Sequence, residues 1–222
     1  MRNLSIDHDG EVATISFDRP ILTKETLIEL AEALDEMAQN HTPEPIVLVS
    51  AHPTIFLAGA HLGEIADLDS ECCIAYARLG RSVAAALGRH PAPVVAAIGG
   101  SCSGGGFDLV MAADTIVASP DAVFSHPGIL RGLVTGWGGT ESIAHSIGDA
   151  PTRRALLEAK EFDAAQLAVL GAIRSIVSDP PAAARLLALE MTHLDPSRIA
   201  IWRHLRGSNF VDRFRAFVVE KS

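Results

Sequence analysis

Residues 101–108, Ser-Cys-Ser-Gly-Gly-Gly-Phe-Asp, set three consecutive glycines between a cysteine flanked by serines and a carboxylate. They follow closely on the apolar run Pro93-Val94-Val95-Ala96-Ala97-Ile98. Glycine inside a regular element costs about 0.5–1 kcal/mol relative to alanine, so a triplet at the mouth of a buried strand marks a place where bare backbone is wanted. A second loop of small residues, Phe56-Leu57-Ala58-Gly59-Ala60-His61, comes after the apolar run 46–49 and also leads into a helix. The unpaired N–H groups and positive dipole end of a helix start suit it to an anion, or to an oxyanion that develops during reaction. Loops at the carboxyl ends of parallel strands face one site. Two of them supply one N–H apiece to a polarised thioester or ester carbonyl.

Ser101-Cys102-Ser103, placed after a strand and before a helix, also suggests a hydrolase nucleophile elbow. The pattern G-x-S-x-G is not met, because Gly99 and Ser103 frame Ser101 while Ser101 and Gly105 frame Ser103. That argues against Cys102 or Ser103 as nucleophile. Neither G-x-G-x-x-G nor G-x-x-x-x-G-K-[ST] occurs in the loop, which removes the nicotinamide and nucleoside triphosphate readings. No cluster of His, Cys, Asp and Glu has metal-ligand spacing, so the expectation is no metal and no tightly bound cofactor.

These loops need strands and helices to position them. Residues 4–6 and 12–17 alternate around His8-Asp9-Gly10 and predict a β-hairpin. Helical periodicity over Lys24–Gln39 predicts an amphipathic helix, with Leu27, Leu30, Leu34 and Met37 on one side. A strand at 45–49, a loop from Ser50 to Ala60, helices from about Leu62 and over Ser70–Gly88, and a strand at 94–98 come next. After the glycine loop the reading gives a short helix through Leu109 and Met111, then a strand at 115–118. Alternating strands and helices imply right-handed crossovers and a mainly parallel sheet, an α/β fold. The second half reads as helices at 138–147, 151–159, 164–170, 181–194 and from 196 onward, interrupted by a strand at 173–177. Arg198, Arg203, Arg206, Arg213 and Arg215 accompany Trp202, Phe210, Phe214 and Phe217 there. Their apolar side is expected to meet the main body or another subunit.

The 222 residues suffice for one large domain, or for a domain with a small appendage. With 48% hydrophobic but only 5% aromatic residues, the core is built from Ala, Val, Leu and Ile, as in layered proteins with buried parallel strands. A net charge of −9 argues against nucleic acid and anionic membranes, which bind clustered Lys and Arg. Cys72, Cys73 and Cys102 imply no disulfide framework and fit a reducing, cytoplasmic setting. No run approaches the ~20 apolar residues of a membrane span, and the start of the chain lacks an apolar signal region. An unprocessed chain is expected.

Four stretches, taken in order, resemble the crotonase, or enoyl-CoA hydratase/isomerase, superfamily. They are FLAGAHLGEI (56–65), PAPVVAAIGGSCSGGGFDLVMAADTIVAS (91–119), FSHPGILRGLVTGWGGTESI (124–143) and RRALLEAKEFDAAQLAVLGAI (153–173). The third is similar to the family segment F-x-x-P-E followed by G-x-x-P-G-x-G-G-T. The resemblance implies a crotonase-like (ClpP/crotonase) spiral core of ββα units over 1–178, and a helical C-terminal region, 179–222, serving as lid or oligomer contact. It also implies an acyl-CoA or acyl-carrier thioester as substrate, with coenzyme A entering as part of that substrate, and assembly as a homotrimer or hexamer. The thioester oxygen would lie between the backbone N–H groups of Ala60 and Gly105, with Ala58, Gly104, Gly128 and Trp137 lining the substrate site.

The family's hydratases place two glutamates where this chain has Asp108 and Gly128. Hydration needs one carboxylate to activate water and a second group to deliver a proton, each within about 2.6–3.2 Å of its target. Gly128 does neither, which disfavours two-glutamate hydration. Asp108 stands in the first turn of its helix, where the dipole favours a negative charge, and reads as a base rather than an acid; the alternative is a helix-capping aspartate. His61 and His126, both in segments expected to border the pocket, are the candidate replacements for the absent acid, since histidine titrates near neutrality. Glu141 is a further candidate. The readings left open are a lyase or isomerase acting through a thioester enolate, a hydrolase or decarboxylase on the same scaffold, and an acyl-thioester binder that has lost its acid/base pair.

Overall fold

The structure, a computed structural model, describes residues 3–40 and 42–206. The N-terminal part contains β1 (Leu4–His8), β2 (Ala13–Phe17), β3 (Ile21–Leu22) and α1 (Lys24–Ala38). Then come β4 (Ile46–Ser50), β5 (Ile55–Leu57), β6 (Gly59–Ala60), α2 (Leu62–Ala66) and α3 (Ser70–Arg89). The middle holds β7 (Val94–Ile98), β8 (Ser101–Ser103), α4 (Gly105–Val110), β9 (Thr115–Ala118), β10 (Val123–Ser125) and a 3-10 turn, Pro127–Arg131. Beyond it lie α5 (Gly139–Ile147), α6 (Asp149–Leu157), β11 (Phe162–Asp163), α7 (Ala164–Val169), β12 (Ser175–Ile176), α8 (Pro180–Glu190) and α9 (Pro196–Arg206).

The large sheet has the order β1-β2-β4-β7-β9-β12. Only the expected hairpin, β1 with β2, pairs antiparallel in it. Its central strands are apolar on both faces because both are covered. Ile46, Leu48, Val94, Ala96, Ile98, Ile116 and Ala118 enter the main core, while Val47, Val95, Ala97 and Val117 meet Ala184, Leu187 and Ala188 of α8. The start of the C-terminal region therefore covers the far face of the sheet.

A smaller sheet, ordered β11-β10-β8-β5, was not legible in the sequence. The segment read as the loop Ser50–Ala60 contains β5 and β6, and the stretch read as the start of the glycine loop is β8. Its order β10-β8-β5 repeats the order β9-β7-β4 of the large sheet. Each of these turns of chain thus contributes a strand to the large sheet and one to the small sheet before passing into a helical element, the spiral of ββα units. Other boundaries shift modestly: the strand expected over 173–177 is Ser175–Ile176, and the helix expected from 151 starts at Asp149.

At the opposite end of the strands, Arg203 of α9 pairs with Asp114 and donates to the Ala92 carbonyl at 3.1 Å. Asp114 in turn accepts the Val94 N–H at 2.8 Å. Phe210, Arg213, Phe214, Arg215 and Phe217 lie outside the described residues. His90 is buried beside this cluster, its Nδ1 3.3 Å from the Ala92 nitrogen. Burial first, and the Arg203 charge after it, lower its pKa from the ordinary 6.5 despite opposing contributions from Ala92 and Asp114. The unfolded chain therefore takes up this proton before the folded one does, and the stability tied to neutral His90 is present above pH 6.5 and lost as pH falls below it. His90→Gln is expected to flatten the fall in melting temperature between neutrality and about pH 5, read from thermal melts across that range.

Candidate active site

The two small-residue loops meet backbone to backbone. Ala58 N–H donates to the Pro20 carbonyl at 2.6 Å and His61 N–H to the Leu22 carbonyl at 3.1 Å. A regular parallel ladder advances two residues on both strands; here an extra residue is accommodated in the β6 strand. Gly59 sits in that stretch with φ +86°, and a Cβ on it would lie 2.8 Å from the Ser103 carbonyl oxygen and 3.0 Å from the Gly105 nitrogen. Ser103 Oγ donates to the Ala58 carbonyl at 3.2 Å, tying the loops again. Gly105 is the first residue of α4, so its N–H has no acceptor within the helix.

Above this junction lies a cavity of about 490 Å³. Ala58, Ala60, Gly104, Gly105, Asp108, His126, Gly128 and Trp137 all border it, so the structure brings together the sequence-predicted site residues except His61 and the further candidate Glu141. His61 is exposed and caps α2, its Nδ1 accepting the Glu64 N–H at 3.2 Å. Its ring satisfies a helix end, which corrects the expectation that it borders the pocket. Glu141 also lies outside the cavity, exposed and 3.3 Å from Arg81.

The cavity holds one close pair of ionisable side chains. Asp108 Oδ1 lies 3.4 Å from His126 Nε2, and among the described residues neither atom has a hydrogen-bond partner although both are buried. Thr135 Oγ1, from the segment before α5, donates to Asp108 Oδ2 at 2.5 Å. The side chain of Asp108 is 2% exposed and that of His126 8%, so the imidazole stands nearer to solvent with the carboxylate behind it. The other edge of the ring faces the position that lacks a side chain: a Cβ on Gly128 would lie 3.5 Å from His126 Nδ1 and Cε1. A Cβ on Gly139 would fall 1.9 Å from Asp108 Oδ1, so only glycine there lets the carboxylate lodge against the start of α5. Among the described residues no group of three or more His, Cys, Asp and Glu could hold a metal ion, and no helix is long and apolar enough to cross a membrane.

Trp137 walls the cavity and is 5% exposed, its ring 5.9 Å from that of Tyr76. The indole lies over Gly105, where a Cβ would approach Trp137 Cζ3 to 2.1 Å. The central glycine of the triplet thus makes room for an aromatic wall, a reason distinct from the close approach of a thioester. Burial pushes the Cys102 thiol well above its ordinary pKa, with the Asp108 charge adding to the rise, so it holds no thiolate at neutral pH. Ser103 touches a carbonyl where a nucleophile needs a base. Ser103→Ala is expected to keep turnover within about threefold of wild type in a steady-state assay, because only a surface-level loop contact is lost.

Thr135 was missed by sequence reasoning, although a signal existed: it stands where the segment G-x-x-P-G-x-G-G-T has proline. Arg131, the cation at the cavity's edge, carried no such signal.

A model of the enoyl-CoA hydratase/isomerase family matches residues 7–204. The chain is 26% identical over 181 residues to the short-chain-enoyl-CoA hydratase of Clostridium acetobutylicum, spanning 80% of this chain and 69% of that protein. It is 25% identical over 179 residues to the crotonyl-CoA hydratase of Syntrophomonas wolfei, spanning 79% and 69%. Among solved structures, DspI of Pseudomonas aeruginosa superposes with a TM-score of 0.91 at 24% identity, covering 100% of this chain and 93% of that one. An enoyl-CoA hydratase of Mycobacterium smegmatis gives 0.89 at 24% identity, covering 99% and 89%.

Proposed function

Since the chain belongs to the enoyl-CoA hydratase/isomerase family and has its crotonase-like fold, we propose that the cavity binds an acyl thioester and moves a proton beside its carbonyl. The N–H groups of Ala60 and Gly105 receive the thioester oxygen, whose charge grows as the α-carbon loses a proton and the enolate forms. His126 carries that proton, and the Asp108 carboxylate behind it offsets the charge of the imidazolium. The observation that carries this reading is the 3.4 Å contact between two otherwise unpartnered buried atoms, at the wall of a cavity that both backbone donors also border.

The pair also bears on which reaction is run. Two groups 3.4 Å apart stand at one place beside the substrate and act as a single proton carrier. Double-bond migration needs no more than that: one proton leaves the α-carbon, the same carrier returns it to the γ-carbon, and the electron pair moves through the enolate. Hydration needs a base for water and an acid for the α-carbon as separate functions, and Gly128 withholds the second carboxylate. Migration from the β,γ to the α,β position is therefore the favoured reaction. In this reading no bound cofactor is called for, since coenzyme A arrives with the substrate, and Arg131 at the cavity's edge is the cation offered to its phosphates.

A panel of β,γ-unsaturated, α,β-unsaturated and β-hydroxyacyl thioesters of coenzyme A, followed by absorbance of the conjugated enoyl product and by mass, tests the reading. Conversion of a β,γ-unsaturated member is expected. Binding of the panel with no conversion at all overturns it in favour of the acyl-thioester binder, which the missing side chain at Gly128 motivates. Water addition without migration overturns the choice of reaction alone.

A further inference from the structure

We propose that Thr135 is a positioning residue that sets the orientation of the Asp108 carboxylate toward His126, an inference that rests on reading the Asp108 and His126 pair as the proton carrier. The direction of each hydrogen bond is fixed by elementary bookkeeping of donors. Thr135 Oγ1 accepts the N–H of Gly139 at 3.3 Å, which leaves its single O–H to donate, and the acceptor is Asp108 Oδ2 at 2.5 Å. One carboxylate oxygen is thereby anchored and the other is left facing His126 Nε2 at 3.4 Å. The carboxylate cannot turn freely, because it is lodged against Gly139 on one side and held by the threonine on the other.

The chain that results runs from the Gly139 N–H through the Thr135 hydroxyl and the Asp108 carboxylate to the His126 ring and so into the cavity. Proline, the residue of the related segment at this position, has no hydroxyl and cannot serve as the second link. The threonine thus accompanies the two other departures at the same spot, aspartate at 108 and glycine at 128, as part of one rearranged proton-transfer group. Thr135 itself also borders the cavity, but its hydroxyl is committed to Asp108, so its effect passes through that carboxylate.

The test compares wild type, Thr135→Ser and Thr135→Val by crystallography and by kinetics on the thioester that wild type converts. Serine keeps the hydroxyl; valine keeps the shape and removes it. Thr135→Val is expected to turn the Asp108 carboxylate and open the contact now at 3.4 Å beyond about 4 Å, while Thr135→Ser keeps it. In turnover, valine is expected to lower kcat about tenfold or more with KM within about threefold and to displace a limb of the pH–rate profile, and serine to restore both. A merely structural threonine would move the melting temperature and leave the pH profile in place. An unchanged Asp108 orientation in Thr135→Val, or wild-type kcat in that variant, overturns the inference. If wild type converts no thioester, the proton-carrier reading fails while the crystal structures still decide what Thr135 orients.

Discussion

His126→Ala is expected to lower turnover of an acyl thioester by about 10²–10⁴-fold, the usual worth of a positioned acid or base. The loss is expected on kcat, because the amides proposed to bind the oxygen and the cavity walls belong to other residues and ground-state binding persists. The ring is largely buried and lies beside Gly128, so its removal leaves a void in front of Asp108 Oδ1 while Thr135 still holds Oδ2. His126→Asn, which keeps a polar group of similar reach without a titrating nitrogen, separates the loss of chemistry from the loss of packing. Both variants are expected to be similarly slow, with asparagine melting closer to wild type. Asp108→Asn belongs to the same group: it keeps the shape but removes the charge that stabilises the imidazolium, and a loss of comparable order is expected. Steady-state kinetics with thermal melts on the same preparations check these outcomes, and wild-type kcat in His126→Asn would remove histidine from the mechanism.

The second large effect is expected from Gly105→Ala. Its new Cβ would stand 2.1 Å from Trp137 Cζ3 and 2.4 Å from Cε3. Retreat of the backbone has little room: a Cβ on Gly106 would fall 2.5 Å from Leu57, and one on Gly59 would fall 3.0 Å from the Gly105 nitrogen. The indole must therefore leave its place against Tyr76 and Gly80. Overpacking of this kind costs about 1–3 kcal/mol. For a chain of this size that lowers the melting temperature by roughly 2–4 °C per kcal/mol. Activity is expected to fall further than stability, by about 10²-fold, since the displaced indole walls the cavity and a misplacement near 1 Å of bound substrate against the proposed proton carrier is enough to do so. Tryptophan fluorescence reports the displaced indole, and a variant with wild-type emission, melting and turnover would show that Trp137 yields without cost.

Much of this arrangement could be read from the residues. The parallel sheet followed from apolar runs alternating with helical periodicity, and both loops at its carboxyl edge do border one cavity. The small sheet could not be read, because Ile55–Leu57, Ser101–Ser103 and Val123–Ser125 are each too short for a period to emerge, and their pairing joins residues far apart in the chain. His61 and His126 illustrate the limit for sites. Both are loop histidines in segments next to the pocket, and only the direction of the side chain separates a helix cap from a partner of Asp108. The glycine triplet posed the right question with an incomplete answer: Gly105 opens the helix, as expected, but its missing side chain leaves room for Trp137. Which aromatic would fold over it depends on a contact 32 residues away, between Gly105 and Trp137, and is invisible to local pattern.

Exchange at the α-carbon tests the proton-transfer account most directly. A β,γ-unsaturated acyl-CoA incubated with the protein in deuterated water, and examined by mass spectrometry and proton NMR, is predicted with wild type to lose an α-hydrogen and gain deuterium at the γ-carbon of the conjugated product, and at the α-carbon wherever the enolate returns to substrate, and with His126→Asn to gain none above the solvent background. Thioester that binds to wild type yet keeps its α-hydrogens would contradict the account, leaving a cavity that holds acyl thioesters without acting on them.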